Sequence, residues 1–112
     1  MKGRILLLNS CICHNEGKYN VKKATPEEVS MLYNRLKKER KVVSYIGYPD
    51  TAKVLSKVIN DEVELNRAEF EWKTGDIGIV IRLKYRLNDP KMKGKTRVSE
   101  EDFEYFIIEK IE

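Results

Sequence analysis

The feature that most constrains this chain is the run from Gly75 to Leu87, Gly-Asp-Ile-Gly-Ile-Val-Ile-Arg-Leu-Lys-Tyr-Arg-Leu, the longest stretch of period two in the sequence. In an extended strand Ile77, Ile79, Ile81, Leu83, Tyr85 and Leu87 share one face, while Val80, Arg82, Lys84 and Arg86 share the other. This pattern predicts a central strand with one core face and, opposite it, a row of cations. Like charges two residues apart on a strand repel. The row therefore implies something negative lying over it, or an edge strand kept soluble by Lys and Arg.

A chain of 112 residues suffices for one domain with one core, spanning residues 1–112. Hydrophobic residues at 41% and charged residues at 36% fit a globular protein with a heavily charged surface. No apolar run approaches the roughly 20 residues of a membrane span, and Ile5 to Leu8 is too short for a signal-peptide core, so the expected location is the cytoplasm, with no membrane partner. The net charge of +4 favours anionic partners without the dense clusters of a non-specific nucleic-acid coat. Cys11 and Cys13, followed by His14, are poorly spaced for a structural disulfide and supply at most three zinc ligands, with no second histidine elsewhere in the chain. No metal or other cofactor is expected.

In chain order, Ile5 to Leu8 suits a short strand buried on both faces, stopped by Asn9 and Ser10. Cys11 to Lys18 has loop composition, and Tyr19 to Lys23 reads as a second strand. Thr25, Pro26 and Glu28 form a capping box with proline at the first helical position, and Val29, Leu32, Tyr33 and Leu36 follow at helical spacing. Lys37, Lys38, Arg40 and Lys41 sit where cations complement the helix dipole. Val42 to Tyr45 is a third strand. It leads through Gly47 into a helical pattern at Ala52, Leu55, Val58 and Ile59, capped by Asp50 or Thr51. A strand, a glycine turn and a helix N-terminus in that order present unpaired amides to an anion. Arg67 to Trp72 alternates and predicts a hairpin with the Gly75 strand. After a basic loop from Asn88 to Lys95, Ser99 caps one helical turn and Glu104 to Ile111 closes the chain as a strand, with Tyr105, Ile107 and Ile111 on one side. The expected fold is α/β, a mixed sheet of about five strands with two main helices packed against it.

Three pieces of the sequence line up: Leu7-Leu8-Asn9-Ser10, Ile46-Gly47-Tyr48-Pro49-Asp50-Thr51-Ala52, and Asn66-Arg67 followed by Arg82-x-x-x-Arg86-Leu87. In that order and at those separations the chain resembles a family of small proteins first met in crenarchaeal viruses and also found in bacteria and phages, which includes the viral anti-CRISPR ring nucleases. The resemblance implies a homodimer whose two copies form a cradle for cyclic tetra-adenylate, the second messenger of type III CRISPR defence. Active members cut that ring by attack of a ribose 2′-hydroxyl on the neighbouring phosphate, assisted by a histidine in an Ile-Gly-His turn. Carried over residue by residue, the likeness implies ligand contacts at Asn9, Arg67 and Arg86, and places Asp89 near an acidic residue of active members. With the anion-site reading of the turn and the cation row, the candidate ligand-binding set is Asn9, Gly47, Asp50, Thr51, Arg67, Arg82, Lys84 and Arg86.

One departure bears on chemistry. Where active members have histidine this chain has Tyr48, and phenols, which ordinarily titrate near pH 10, donate protons less readily at neutral pH than imidazoliums, which titrate near 6.5. The candidate catalytic residues are therefore Tyr48 itself, Asp89, and His14, which lies in a loop where other members contact the ligand. The expected function is an anti-CRISPR-type protein that binds a cyclic oligoadenylate and sequesters it or cleaves it slowly. The alternative is an inhibitor whose basic face binds a CRISPR effector protein or its RNA directly.

Overall fold

Four consecutive aliphatic residues, Ile5–Leu8, form strand β1, and the unbroken run is what a strand covered on both sides requires. The computed structural model describes residues 3–10, 16–84 and 100–112. In it β1 lies between two parallel neighbours, β3 (Val42–Ser44) and β4 (Ile77–Leu83), with Ile5 opposite Val42 on one side and Ile77 on the other. Strands β2 (Tyr19–Ala24) and β5 (Phe103–Lys110) complete a five-stranded mixed sheet in the order β2-β5-β4-β1-β3, with β5 antiparallel to both its neighbours. A turn of 3-10 helix at Glu100–Asp102 leads into β5. The expected fold class is the one observed.

Two helices, α1 (Pro26–Leu36) and α2 (Pro49–Ile59), pack on one face of the sheet. The capping box of α1 forms as the sequence predicts: the Glu28 amide donates to Thr25 Oγ1 at 3.2 Å and the Thr25 amide donates to Glu28 Oε1 at 3.2 Å. Val29 and Tyr33 of α1 meet Ala52, Leu55 and Ile59 of α2 over Ile5, Leu7, Ile79 and Ile81. The Tyr33 hydroxyl donates to Asp61 at 2.6 Å just beyond α2, tying the two helices at their rims. For α2 the sequence reading needs correction. The helix begins at Pro49, so its N-cap is Tyr48, in extended backbone conformation and without a side-chain cap bond, whereas Asp50 and Thr51 fall inside the first turn.

The sheet's other face corrects two further expectations. Val80 lies on the face assigned to cations, yet it is buried with Leu6, Leu8, Ile108 and Trp72 in a second core. The strand is apolar on both faces because it is central, and its alternation turns polar only at Arg82, near the strand's end. Residues 67–72 do not form a hairpin with β4, whose partners are β1 and β5. Phe70 and Trp72 instead turn their rings onto the sheet and cover it. Gly78 makes that approach possible, since a Cβ there would sit 2.6 Å from the Trp72 ring. The alternation in this segment records side chains facing a core, not main chain in a ladder.

A buried carboxylate fastens the covering segment. Asp76, 1% exposed, accepts from the Arg4 amide at 2.9 Å, from Arg4 Nη2 at 2.7 Å and from the Lys73 amide at 2.8 Å. The same Arg4 Nη2 donates to the Glu71 carbonyl at 2.8 Å. Burial pushes the Asp76 carboxyl up, and the hydrogen bonds and charge of Arg4, with the Lys73 amide, outweigh it and hold the group below the usual carboxylate range. Gly75, at φ +92, takes the left-handed backbone this turn demands.

Candidate functional site

Parallel strands end together, and where β1 and β3 end the chain leaves the sheet in two loops that face each other. Asn9 and Ser10 follow β1. Tyr45, Ile46, Gly47 and Tyr48 follow β3, and the Tyr45 amide donates to the Leu7 carbonyl at 2.8 Å, so the parallel pairing extends just past the strand.

A third segment is drawn to this edge by Asn66. Its amide donates to the Ile46 carbonyl at 2.9 Å, its Nδ2 donates to the Ser44 carbonyl at 3.0 Å, and its Oδ1 accepts from the Ala68 amide at 3.0 Å. Ser44 Oγ donates to the Glu64 carbonyl at 2.6 Å one step earlier. Arg67, fixed behind Asn66, lies back across the glycine turn: its Nε donates to the Gly47 carbonyl at 3.0 Å and its guanidinium carbon is 5.7 Å from the centre of the Tyr48 ring. Gly47 is required for this, because a Cβ there would stand 2.7 Å from Arg67 Cγ.

The result is an open cleft of about 980 Å³ whose walls include Asn9, Ser10, Gly47, Tyr48, Arg67 and Phe70. Phe70 stacks on Tyr45 with ring centres 4.7 Å apart, and both line the cleft. Glu69 and Glu71 line it as well, so the described wall of one chain carries one cation and two carboxylates. Among the described residues no group of three or more His, Cys, Asp or Glu is placed to hold a metal ion.

Of the residues singled out from sequence, Asn9, Gly47, Tyr48 and Arg67 are brought together in this cleft. Asp50 is exposed on the first turn of α2 and is not among the cleft residues, and Thr51 is buried, 6% exposed. Arg82 is engaged: its Nε donates to Glu104 Oε1 at 2.6 Å across β4 and β5, and its guanidinium lies 4.8 Å from the Phe106 ring centre. Lys84 lines a separate groove of about 610 Å³ with Lys23, Thr25, Glu101 and Glu104. Cys11, Cys13, His14, Tyr85, Arg86, Leu87, Asp89 and Ser99 lie outside the described residues.

Sequence reasoning missed the brace made by Asn66, the Tyr45–Phe70 pair and the two carboxylates. A side-chain amide just before a basic residue was the available signal for the brace; the carboxylates gave none, since they occupy the solvent positions of an alternating segment.

A family model described as STIV B116-like matches residues 5–110. No curated protein matches the chain. Among solved structures, B116 of Sulfolobus turreted icosahedral virus (STIV) is similar with a TM-score of 0.71, over 95% of this chain and 98% of that one, at 15% sequence identity. At that identity the likeness is one of fold. Among the described residues no helix is long and apolar enough to cross a membrane.

Proposed function

This chain belongs to the STIV B116-like family, and from that premise we propose that it binds a cyclic oligoadenylate, cyclic tetra-adenylate first, in a cradle made by two copies. It acts as an anti-CRISPR-type protein that lowers the free messenger by holding it and cuts it slowly or not at all. The observation that carries this reading is the meeting of Asn9, Gly47, Tyr48 and Arg67, distant in sequence, on one open cleft at the carboxyl ends of β1 and β3. Asn9 supplies a side-chain donor and acceptor, and Arg67 supplies a guanidinium held on the Gly47 carbonyl.

The open shape of the cleft supports two copies rather than one. Arg67 shares the wall with Glu69 and Glu71, and Arg82 is already paired with Glu104, so the described part of one copy offers a ring carrying several phosphates little net attraction. A second copy does not change that balance, but a two-fold axis sets a second open cleft opposite the first and encloses the ring between them. The same pairing of Arg82 weakens the alternative in which a free basic face docks a CRISPR effector protein or its RNA.

Slow chemistry follows from Tyr48. General acid–base help is typically worth about 10²- to 10⁴-fold, and a phenol in place of an imidazolium forfeits much of it. Correct alignment of the 2′-hydroxyl alone sustains residual cleavage. The test is to incubate wild type and Tyr48→His with cyclic oligoadenylates of different ring size, scoring bound and cut ligand separately. Binding without fast cleavage by wild type, with faster cleavage by Tyr48→His, is expected; failure of both proteins to bind any ring would sink the proposal.

A further inference from the structure

We infer that Tyr48, backed by Arg67, is a stacking platform for a nucleobase, and that its ring face rather than its hydroxyl is what this chain uses. The inference rests on the oligoadenylate reading of the cleft and names the part of the ligand that Tyr48 meets.

Four observations converge on it. Tyr48 occupies the N-cap of α2 and makes no side-chain cap bond, so its side chain is not engaged in capping the helix it begins. The residue is 57% exposed and lines the cleft. Arg67 lies over the ring at 5.7 Å, within the range of a cation–π contact. The guanidinium is tethered there by its bond to the Gly47 carbonyl, and the absence of a side chain at Gly47 leaves room for it across the turn. A ring held by a fixed cation is a rigid flat surface, and every base has a π-face to lay on it.

The charge of the cleft points the same way. With two carboxylates beside one guanidinium, the described wall attracts phosphate weakly, and what it offers a ligand instead is contacts that carry no charge. The stacked pair of Tyr45 and Phe70 lines the same cleft and offers a second aromatic surface for a neighbouring base. Alternating rings and a guanidinium along one groove are the usual means of holding single-stranded nucleic acid by its bases.

The experiment measures equilibrium binding of the full chain, as wild type, Tyr48→Phe and Tyr48→Ala, with three probes. These are cyclic tetra-adenylate, a linear adenylate of four nucleotides, and an abasic ribose-phosphate oligomer of equal length. Thermal melts accompany each variant, and Tyr48→Phe keeps the ring should Tyr48→Ala melt early. The expected result is that Tyr48→Phe binds both adenylates within about twofold of wild type, while Tyr48→Ala loses about 5- to 150-fold, the usual worth of one base stack. The abasic oligomer should bind wild type more weakly than the linear adenylate by a similar factor and be indifferent to Tyr48. The platform is overturned if Tyr48→Ala binds the adenylates as tightly as wild type, if Tyr48→Phe loses as much as Tyr48→Ala, or if the abasic oligomer binds as well as the linear one. Wild type that ignores the ring but binds the linear adenylate through Tyr48 would uphold the platform while ending the messenger reading, and binding of neither would end both.

Discussion

Replacing Asp76 with asparagine keeps the shape of the side chain and removes its charge, at a position where the carboxylate is 1% exposed and accepts from Arg4 and from the amides of Arg4 and Lys73. Breaking a buried pair by removing one partner costs about 3 to 5 kcal/mol. Arg4 is 24% exposed, so water recovers part of its hydration and the lower half of that range, about 3 to 4 kcal/mol, applies. At about 4 °C per kcal/mol for a domain of this size, the melting temperature should fall by about 12 to 16 °C at pH 7. The pH dependence has a definite sign. The Asp76 carboxyl titrates below its ordinary value in the folded chain, so the stability it adds is fully present above the unfolded value of about 3.9 and is lost as pH falls through the folded one. Thermal or urea unfolding of the two proteins from pH 7 downward should therefore show the gap between them closing only in acid. A gap under about 1 kcal/mol at pH 7 would mean that the knot does not hold the covering segment, and one that widened in acid would reverse the sign argued here.

Gly47→Ala should leave the melting temperature close to that of wild type but weaken oligoadenylate binding, because the added Cβ displaces the exposed Arg67 side chain from the turn; calorimetry on both proteins reads the two effects separately. Trp72→Ala should destabilise the chain by about 3 to 5 kcal/mol in urea unfolding, since it uncovers Gly78 and Leu8. Tyr33→Phe removes the hydroxyl that most lowers the Asp61 carboxyl, so an NMR titration should find that carboxyl moved upward, with Glu28 unchanged. Arg67→Ala should cost binding without moving the melting temperature, whereas Ile81→Ala, buried under the helices, should cost about 2 to 5 kcal/mol of stability and leave ring binding intact in the folded protein.

The parts of this fold legible in the sequence are those fixed by local chemistry. Thr25, Pro26 and Glu28 announce a helix start within four residues, and Ile5–Leu8 announces a strand covered on both faces. What misled was alternation. The segment of Phe70 and Trp72 and the strand of Val80 both alternate, but period two states only that successive side chains point in opposite directions, and it cannot say whether main-chain partners lie alongside. Val80 faces a core because Trp72 covers it, a contact between residues that the pattern assigned to adjacent strands of a hairpin. The burial of Asp76 and of Lys110, whose Nζ donates to the Glu16 carbonyl at 2.9 Å, was equally hidden. A charge in a polar turn or at a strand's end looks solvated until its distant partners are known.

The cleft was legible as a list of residues and not as a place. Asn9 and Gly47 each end a strand, and their approach follows once β1 and β3 are known to run parallel and side by side. Nothing local brings Arg67 to them; that takes Asn66, which uses its amide and its Nδ2 to bind a segment beyond α2 to the end of β3 and its Oδ1 to turn that segment at Ala68. The same brace brings Glu69 and Glu71 to the cleft with Arg67, because a chain pinned at Asn66 and again at Asp76 must run along the wall between them. Cation and carboxylates thus arrive together, and the site that results is less positive than a count of the chain's basic residues implies. Flat rings at Tyr48, Tyr45 and Phe70 are the surfaces left in that wall for a ligand to gain from, which is why the proposed reading turns on the bases of an oligoadenylate as much as on its phosphates.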